Sequence, residues 1–281
     1  MDEGYRFEML DPVSPGELAS VSALLRRVFP KARHLTERYL AWQYAANPAG
    51  TAVGYNAWAG DALVGHMAAL PMAARIEGEQ RLGMFIVNGA VDAAHRRRRL
   101  QSRISDAMFE EGVRRGYAFC LSTGNRQSTV PLLTRFRMLR PLEARLGFGT
   151  PARAARAFEP SFERIWTEES LRWRVANPER RYAAQVLDGR LTLFADTGLP
   201  GIDALLYDGP GRCAEEGGAG VRKGLRVWIG LDPALSWPAS LPIPKRLRPS
   251  PLNLVYRHLS GGGFLPDPER IVLSGLDLDA Y

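Results

Sequence analysis

The sequence predicts an α/β chain in which helices alternate with a run of strands, in the order αα-βββ(β)-α-β-α. Three observations predict it. An apolar strand, Met84 to Val91, runs straight into a basic turn and then an amphipathic helix. Two helices with clear boundaries precede that strand. A shorter echo of the early helix and strand recurs in the second half of the chain.

Ser14-Pro15-Gly16-Glu17 opens the first helix: Ser14 is placed to cap, Pro15 sits at N1, and Glu17 completes a capping box. Leu18, Val21, Leu24, Leu25 and Val28 form its apolar stripe. A second helix runs from about Thr36 to Ala46 and stops at Asn47-Pro48, because the residue before proline is pushed out of helical geometry. Tyr55 to Trp58 reads as a strand and Gly60-Asp61 as a turn. Ala62 to Met67 returns, and Ala69 to Ile76 is a further strand ending at Glu77-Gly78. Arg81 to Val91 is the central strand. Beyond the basic turn, Leu100, Ile104 and Met108 fall four apart with Val113 after them. That helix ends at Arg114-Arg115-Gly116 with a basic last turn and a glycine stop. Tyr117 to Ser122 reads as a buried strand, and Gly124-Asn125 leads to a helix over Val130 to Phe136.

The echo is specific. Thr36-Glu37-Arg38-Tyr39-Leu40-Ala41-Trp42, ending at Asn47-Pro48, aligns with Thr167-Glu168-Glu169-Ser170-Leu171-Arg172-Trp173, ending at Asn177-Pro178. Each is followed by an extended segment and a Gly/Asp turn. Gly209 to Gly220 is rich in glycine but lacks the Lys-Ser/Thr of a Walker A loop, so it reads as a flexible connection. Leu225 to Leu231 and Leu252 to Leu259 read as strands. The proline-dense stretch between them, from Ser236, either covers a cleft mouth or joins strands. Ile271 to Asp279 alternates like an edge strand. Asp277 and Asp279 share one of its faces, toward solvent or toward an amine.

The chain has 281 residues, enough for one large or two small domains, and 46% of them are hydrophobic. Cys120 and Cys213 supply neither a disulfide framework nor metal spacing, and Cys120 sits in an apolar strand as a core residue. No metal site is expected. No signal core and no membrane-length apolar window is seen, so a soluble cytoplasmic protein is expected. The net charge of +7 suits an anionic ligand.

The basic turn carries the chemistry. Asp92-Ala93-Ala94-His95-Arg96-Arg97-Arg98-Arg99-Leu100-Gln101-Ser102-Arg103 joins a strand to a helix N-terminus. Free amides of a first helical turn point at an anion, and the helix dipole adds partial positive charge. Two bridged phosphates would suit it, with the arginines screening their charge. A solvated surface patch and a nucleic-acid patch are the competing readings.

Arg96 to Gln101 resembles the acyl-CoA loop of the GNAT (GCN5-related N-acetyltransferase) superfamily, roughly Arg/Gln-x-x-Gly-x-Gly/Ala. Arg96 matches the first position, and Arg99 and Gln101 stand where the glycines usually stand. Asn125 and Ser128 match the place where an Asn or Ser at the next helix start contacts the cofactor. The helix order matches as well, over about residues 5 to 150. The resemblance implies a GNAT fold, with a mixed, mostly antiparallel sheet flanked by helices. It assigns residues 1–150 to an acyl-CoA-binding domain and 151–281 to a reduced, degenerate GNAT-like lobe, a tandem arrangement. Its strand after the cofactor helix splays from its neighbour.

For function it implies an acyl-CoA-dependent N-acyltransferase. Acetyl-CoA is the expected cofactor, since Phe85, Val87, Phe119 and Leu121 are bulky; another acyl-CoA is the alternative. Cofactor contacts fall on Ala90, Val91, Arg96, Arg97, Arg98, Arg99, Leu100, Gln101, Ser102, Arg103, Asn125 and Ser128. A backbone amide near Ala90 or Val91 would polarise the thioester. Asn88 sits where some GNAT enzymes place a Glu, and His66 is the candidate general base. The family's usual Tyr in the last helix is missing from Leu132 to Met138, and Thr134 is too weak an acid to replace it. Trp42-Gln43-Tyr44 before Asn47-Pro48, with Leu100-Gln101-Ser102-Arg103, is similar to bacterial GNAT proteins of polysaccharide, envelope and secondary-metabolite pathways. A small-molecule or sugar amine acceptor follows, without membrane or nucleic acid, and a homodimer is compatible. Two other classes stay open: a catalytically silent acyl-CoA- or partner-binding relative, and a nucleic-acid binder using the arginine run.

Overall fold

The computed structural model describes residues 4–125, 128–153, 158–187, 189–211, 224–248, 252–261 and 263–278. A short strand absent from the sequence reading, β1 (Arg6–Met9), precedes the first helix, α1 (Pro15–Val28). Ser14 caps α1 as expected, but Glu17 does not close a capping box. Its carboxylate accepts from the Asp11 amide instead, at 2.5 Å. Thr36 caps α2 (Glu37–Ala45), its Oγ1 accepting from the Tyr39 amide. Then come β2 (Val53–Ala59), β3 (Ala62–Ile76) and β4 (Glu79–Val91). The two strands expected within residues 62–76 are one. The irregularity that seemed to divide them is a bulge in their partner. Met67 alone faces Asn88 and Gly89, so β4 carries the extra residue and β3 runs on unbroken.

A turn of 3-10 helix (Ala93–His95) leads to α3 (Leu100–Arg114) and β5 (Phe119–Gly124). Leu100, Ile104 and Met108 are fully buried, each stabilising by roughly 1.5–3 kcal/mol. Val113 is half exposed and leaves the stripe. The helix expected over Val130 to Phe136 is shorter and earlier: α4 is Thr129–Leu132, and the chain then turns into β6 (Arg137–Pro141) and β7 (Glu143–Phe148). There follow β8 (Ala152–Arg153), β9 (Phe162–Arg164), α5 (Glu168–Val175), β10 (Tyr182–Leu187), β11 (Arg190–Asp196) and β12 (Ile202–Pro210). Beyond them lie β13 (Leu225–Gly230), β14 (Leu235–Ser236), β15 (Ser240–Pro242), β16 (Asn253–His258) and β17 (Ile271–Val272). Most of the glycine-rich stretch read from Gly209 to Gly220 lies outside the described residues. The proline-dense stretch joins strands, and its β15 pairs with β7. The closing segment is no long edge strand. After β17 it forms a 3-10 turn, Gly275–Asp277, in which Asp277 is buried rather than solvent-facing; Asp279 lies outside the described residues.

The strands form two main sheets. The first runs β1-β2-β3-β4-β5-β16-β6, with β9 beside the far end of β3 and β17 beside β9; the second runs β10-β11-β12-β13-β7-β15. The first sheet is mixed. Most neighbours are antiparallel, but β4 and β5 are parallel. On one face α1 and α2 bury Leu18, Val21, Leu24, Leu25 and Leu40; on the other α3 buries its stripe. The sheets exchange strands across residue 150. β16 completes the first sheet beyond β5, and β7 completes the second beyond β13.

The repeated helix motif meets itself. Trp42 and Trp173 stack with ring centroids 4.9 Å apart. Trp42 Nε1 donates to the Trp173 carbonyl at 2.9 Å, and Trp173 Nε1 donates to the Trp42 carbonyl at 3.1 Å. The Thr167 cap of α5 and the Asn177 turn copy those of Thr36 and Asn47. No helix among the described residues is long and apolar enough to cross a membrane.

Candidate functional site

The site begins where two parallel strands part. β4 and β5 are paired only through Gly83–Phe85 and Phe119–Leu121. Beyond that, β4 takes its bulge at Asn88-Gly89, with Asn88 at a φ of 55°, and draws away. The gap is a cleft of about 630 Å³ lined by Val28, Phe29, Met67, Ile86 to Val91, Arg96, Gln101, Ser122, Thr123, Asn125, Ser128, Pro131 and Leu132.

Of the residues singled out by sequence, Asn88, Ala90, Val91, Arg96, Gln101, Asn125 and Ser128 meet in this cleft. Arg97, Arg98, Ser102 and Arg103 do not line it. Arg97 and Arg98 are exposed on its rim, and the Arg103 guanidinium lies 4.0 Å above the Phe7 ring. The Leu100 side chain is in the core, so it can offer only its backbone. Arg99 is exposed and takes a left-handed φ of 57°; Arg97 does the same at 63°. The backbone thus keeps a glycine-like conformation at Arg99, at a cost of roughly 1–2 kcal/mol. The first turn of α3 has no side-chain cap. Its first intrahelical bond is Arg103 amide to Arg99 carbonyl, which leaves the Leu100, Gln101 and Ser102 amides without helical partners. Arg96 Nε donates to the Val91 carbonyl at 3.3 Å, which tethers its side chain to the end of β4. Asn125 Oδ1 accepts from the Ser128 amide and hydroxyl, and Ser128 Oγ accepts from the Asn125 amide, so the two residues hold each other at the opposite wall.

His66 lies behind the cleft, not in it. It is 1% exposed, and burial pushes its imidazole down to about 3, so it is neutral. A neutral ring has one N–H. Nδ1 donates it to Asn56 Oδ1 at 2.7 Å, and Nε2 accepts from the Tyr44 hydroxyl at 3.0 Å. The Tyr44 oxygen in turn accepts from Asn88 Nδ2 at 2.7 Å, and Gln43 Oε1 accepts from the same nitrogen at 2.7 Å. The chain of bonds fixes the Asn88 amide and leaves its Oδ1 to face a donor. A base in contact with substrate must therefore be sought elsewhere.

On the other side of the strand gap lies a cavity of about 280 Å³ lined by His34, Leu35, Phe85, Ile86, Val87, Asn88, Thr123, Leu252 and Leu278. Ile86, Val87, Asn88 and Thr123 border both spaces. His34 stands edge-on to Tyr39, 5.2 Å between centroids. Sequence reasoning missed His34, Ser122 and Thr123. The hydroxyl pair lies in β5 just past its pairing with β4 and is findable from that strand; His34 sits in an irregular loop ahead of α2 and has no such signal. Among the described residues no cluster of His, Cys, Asp or Glu could hold a metal. Cys120 is buried, and burial pushes its thiol up, which suits a core residue.

Parallel strands part at a bulge, beside an uncapped helix N-terminus whose first amides have no helical partners. Residues 10–136 match the model of the acetyltransferase (GNAT) domain family. Solved structures share the fold over most of the chain. A conserved protein from Enterococcus faecalis V583, described as a probable N-acyltransferase, aligns with a TM-score of 0.63 at 12% identity, covering 91% of this chain and 73% of that one. A GCN5-related N-acetyltransferase from Kribbella flavida aligns at 0.61 and 12%, covering 92% and 72%. Eis1 from Mycobacterium abscessus aligns at 0.58 and 9%, covering 91% and 73%. No curated protein matches the chain.

Proposed function

We propose that the chain transfers an acyl group, acetyl, from acetyl-CoA to the amine of a small molecule. The observation that carries this reading is the 630 Å³ cleft between β4 and β5, walled on one side by the uncapped turn of α3 and Arg96. Acetyl-CoA supplies an activated acyl group on a thiolate leaving group. The Leu100, Gln101 and Ser102 amides and Arg96 hold its pyrophosphate, and Arg97, Arg98, Arg99 and Arg103 screen the charge. Asn125 and Ser128 close the far wall. The bulge takes Asn88 and Gly89 off the β3 ladder and β5 has already parted from this stretch, which leaves backbone there to polarise the thioester oxygen.

The amine enters from the 280 Å³ cavity. Asn88 Oδ1 accepts one of its N–H groups, and His34 takes the proton released as the new amide forms. His66 and Tyr44 position Asn88 rather than touch substrate. Residues 1–150 hold the acyl-CoA, and 151–281 form a reduced second lobe of the same kind, with β16 and β7 exchanged and Leu252 and Leu278 added to the wall of the amine cavity. One observation favours a silent relative instead: among the described residues no tyrosine lines the cleft to protonate the thiolate.

Calorimetric titration with acetyl-CoA at two salt concentrations tests the reading. Saturable binding is expected, weakened roughly 10- to 100-fold by Arg96→Glu with Arg99→Glu, as for loss of charge-assisted bonds. No binding by the native chain overturns the proposal. Binding without turnover on any small amine selects the silent relative.

A further inference from the structure

The amine cavity adjoins the acyl cleft along Ile86, Val87, Asn88 and Thr123, which border both. Its polar side chains are few. Asn88 and Thr123 stand on that shared border, and His34 is the third. The other lining side chains are hydrocarbon: Leu35, Phe85, Ile86, Val87, Leu252 and Leu278. They come from four separate pieces of chain, the loop before α2, β4, the residue before β16 and the residue after the 275–277 turn. Among the described residues that line the cavity there is no carboxylate, lysine or arginine.

The wall beyond offers no counter-charge. Phe85, Val87 and Leu278 separate the cavity from a space of about 20 Å³ whose one carboxylate is Asp277. That carboxylate is already engaged. Its Oδ1 accepts from Trp166 Nε1 at 2.9 Å, its Oδ2 accepts from the Ser274 amide at 2.6 Å and hydroxyl at 2.9 Å, and Arg164 Nε stands 3.7 Å from Oδ1. A second ammonium on the substrate would lie against hydrocarbon with no anion to meet it. A hydroxyl there would lose its hydrogen bonds to water and find no side-chain partner among the described residues.

We infer that the acceptor is an apolar monoamine, with one amino group at the Asn88–Thr123 border and an alkyl or aryl tail packed among Leu35, Phe85, Leu252 and Leu278. The inference rests on the acyl-transfer reading of the cleft. It favours a hydrocarbon acceptor over the sugar amine that the sequence leaves open. Size limits the tail. An apolar cavity of roughly 150 Å³ takes a benzene. The 280 Å³ here holds one ring on a short chain, or a linear chain of roughly six carbons.

Hexylamine, 5-aminopentan-1-ol and 1,5-diaminopentane have one length and differ only in the end group: methyl, hydroxyl or ammonium. Each is titrated calorimetrically into the full chain, alone and with saturating CoA. Hexylamine is expected to bind roughly 10- to 100-fold tighter than either of the others, the effect of leaving no buried polar group unpaired. Leu252 is half-buried, and its carbonyl accepts from the Leu142 amide at 2.9 Å, so its place is held by backbone and its side chain can be exchanged. Leu252→Glu sets a carboxylate in the path of the tail. It should weaken hexylamine and strengthen 1,5-diaminopentane, whereas a structural defect alone would weaken all three. Equal binding of the three, tighter binding of the diamine by the native chain, or no binding of hexylamine overturns the inference, as does an unchanged ratio in Leu252→Glu. If Leu252→Glu does not fold, Leu252→Ala decides: the preference for hexylamine over the diamine should shrink, and an undiminished value overturns the inference. Acetyl-CoA is titrated in parallel, so that failure of the acyl-transfer reading shows as lost cofactor binding and failure of this inference shows in the amine ratio.

Discussion

The two sheets are built alike, yet only one opens at its parallel pair. In the first, β4 pairs with β5 over three residues, bulges, and leaves the cleft. In the second, β12 pairs with β13 in parallel over Ile202–Leu205 and also carries an extra residue, Leu206. There the chain plugs the gap with itself. Leu231 and Leu273 exchange backbone hydrogen bonds at 2.7 Å, and Leu276 packs into the core around Leu206. The pair flanking the bulge differs too: His66–Ala90 in the first sheet, Leu193–Tyr207 in the second. Parted strands are thus a property of the architecture. An open cleft results only where no other segment fills the gap.

The largest expected effect breaks the plug. A Cβ on Gly230 would collide with the Leu273 carbonyl and lie 2.8 Å from Trp228 Cζ2. Gly230→Val should therefore lose about 3 kcal/mol, read from urea denaturation. Unchanged stability would show that the 273–277 segment is not what closes the second sheet.

Next comes the base of the open site. His34→Ala should lower kcat/KM roughly 100-fold, partly restored at alkaline pH where more of the amine is already deprotonated. A change under threefold would remove His34 from the reaction.

The buried imidazole distinguishes the halves by pH. Below its ordinary value of 6.5 the unfolded chain protonates His66, while the folded chain refuses the proton down to about 3. Stability is therefore full above that window and falls through it by about 1.4 kcal/mol per pH unit. About 2 kcal/mol should be lost from pH 7 to pH 5, and His66→Gln should remove the loss attributable to this group.

The smallest effect concerns the strained rim of the cleft. Arg99→Gly relieves a left-handed arginine and should raise stability by about 0.5–1 kcal/mol, or about 1–3 °C in Tm. A fall in Tm would mean that the arginine side chain contributes more than the strain costs.

Much of this was legible in the chain because the signals are local. Ser14, Thr36 and Thr167 cap the helices that follow them, and the α3 stripe and its glycine stop sit within one window. Arg96, Gln101, Asn125 and Ser128 meet in one cleft, as the sequence grouped them, because strand–turn–helix joints keep such residues at short range. What stayed hidden depends on distance along the chain. Nothing near Asn253 says that it pairs with Gly124, and nothing near Asp277 says that Trp166 will bury it. His66 misled because a histidine's ordinary pKa belongs to water, and Tyr44 and Asn56 enclose it in the core. β1 and β6 are too short to stand out, and α4 ends after one turn.

The strand exchange also sets an order in time. β5 acquires its outer neighbour only when β16, more than a hundred residues later, has been made. During synthesis the α3–β4 wall of the cleft can form early, while the edge of β5 stays bare until residues 253–258 emerge from the ribosome. The working cleft is among the last parts of the molecule to be finished, although most of its lining is among the first to be written.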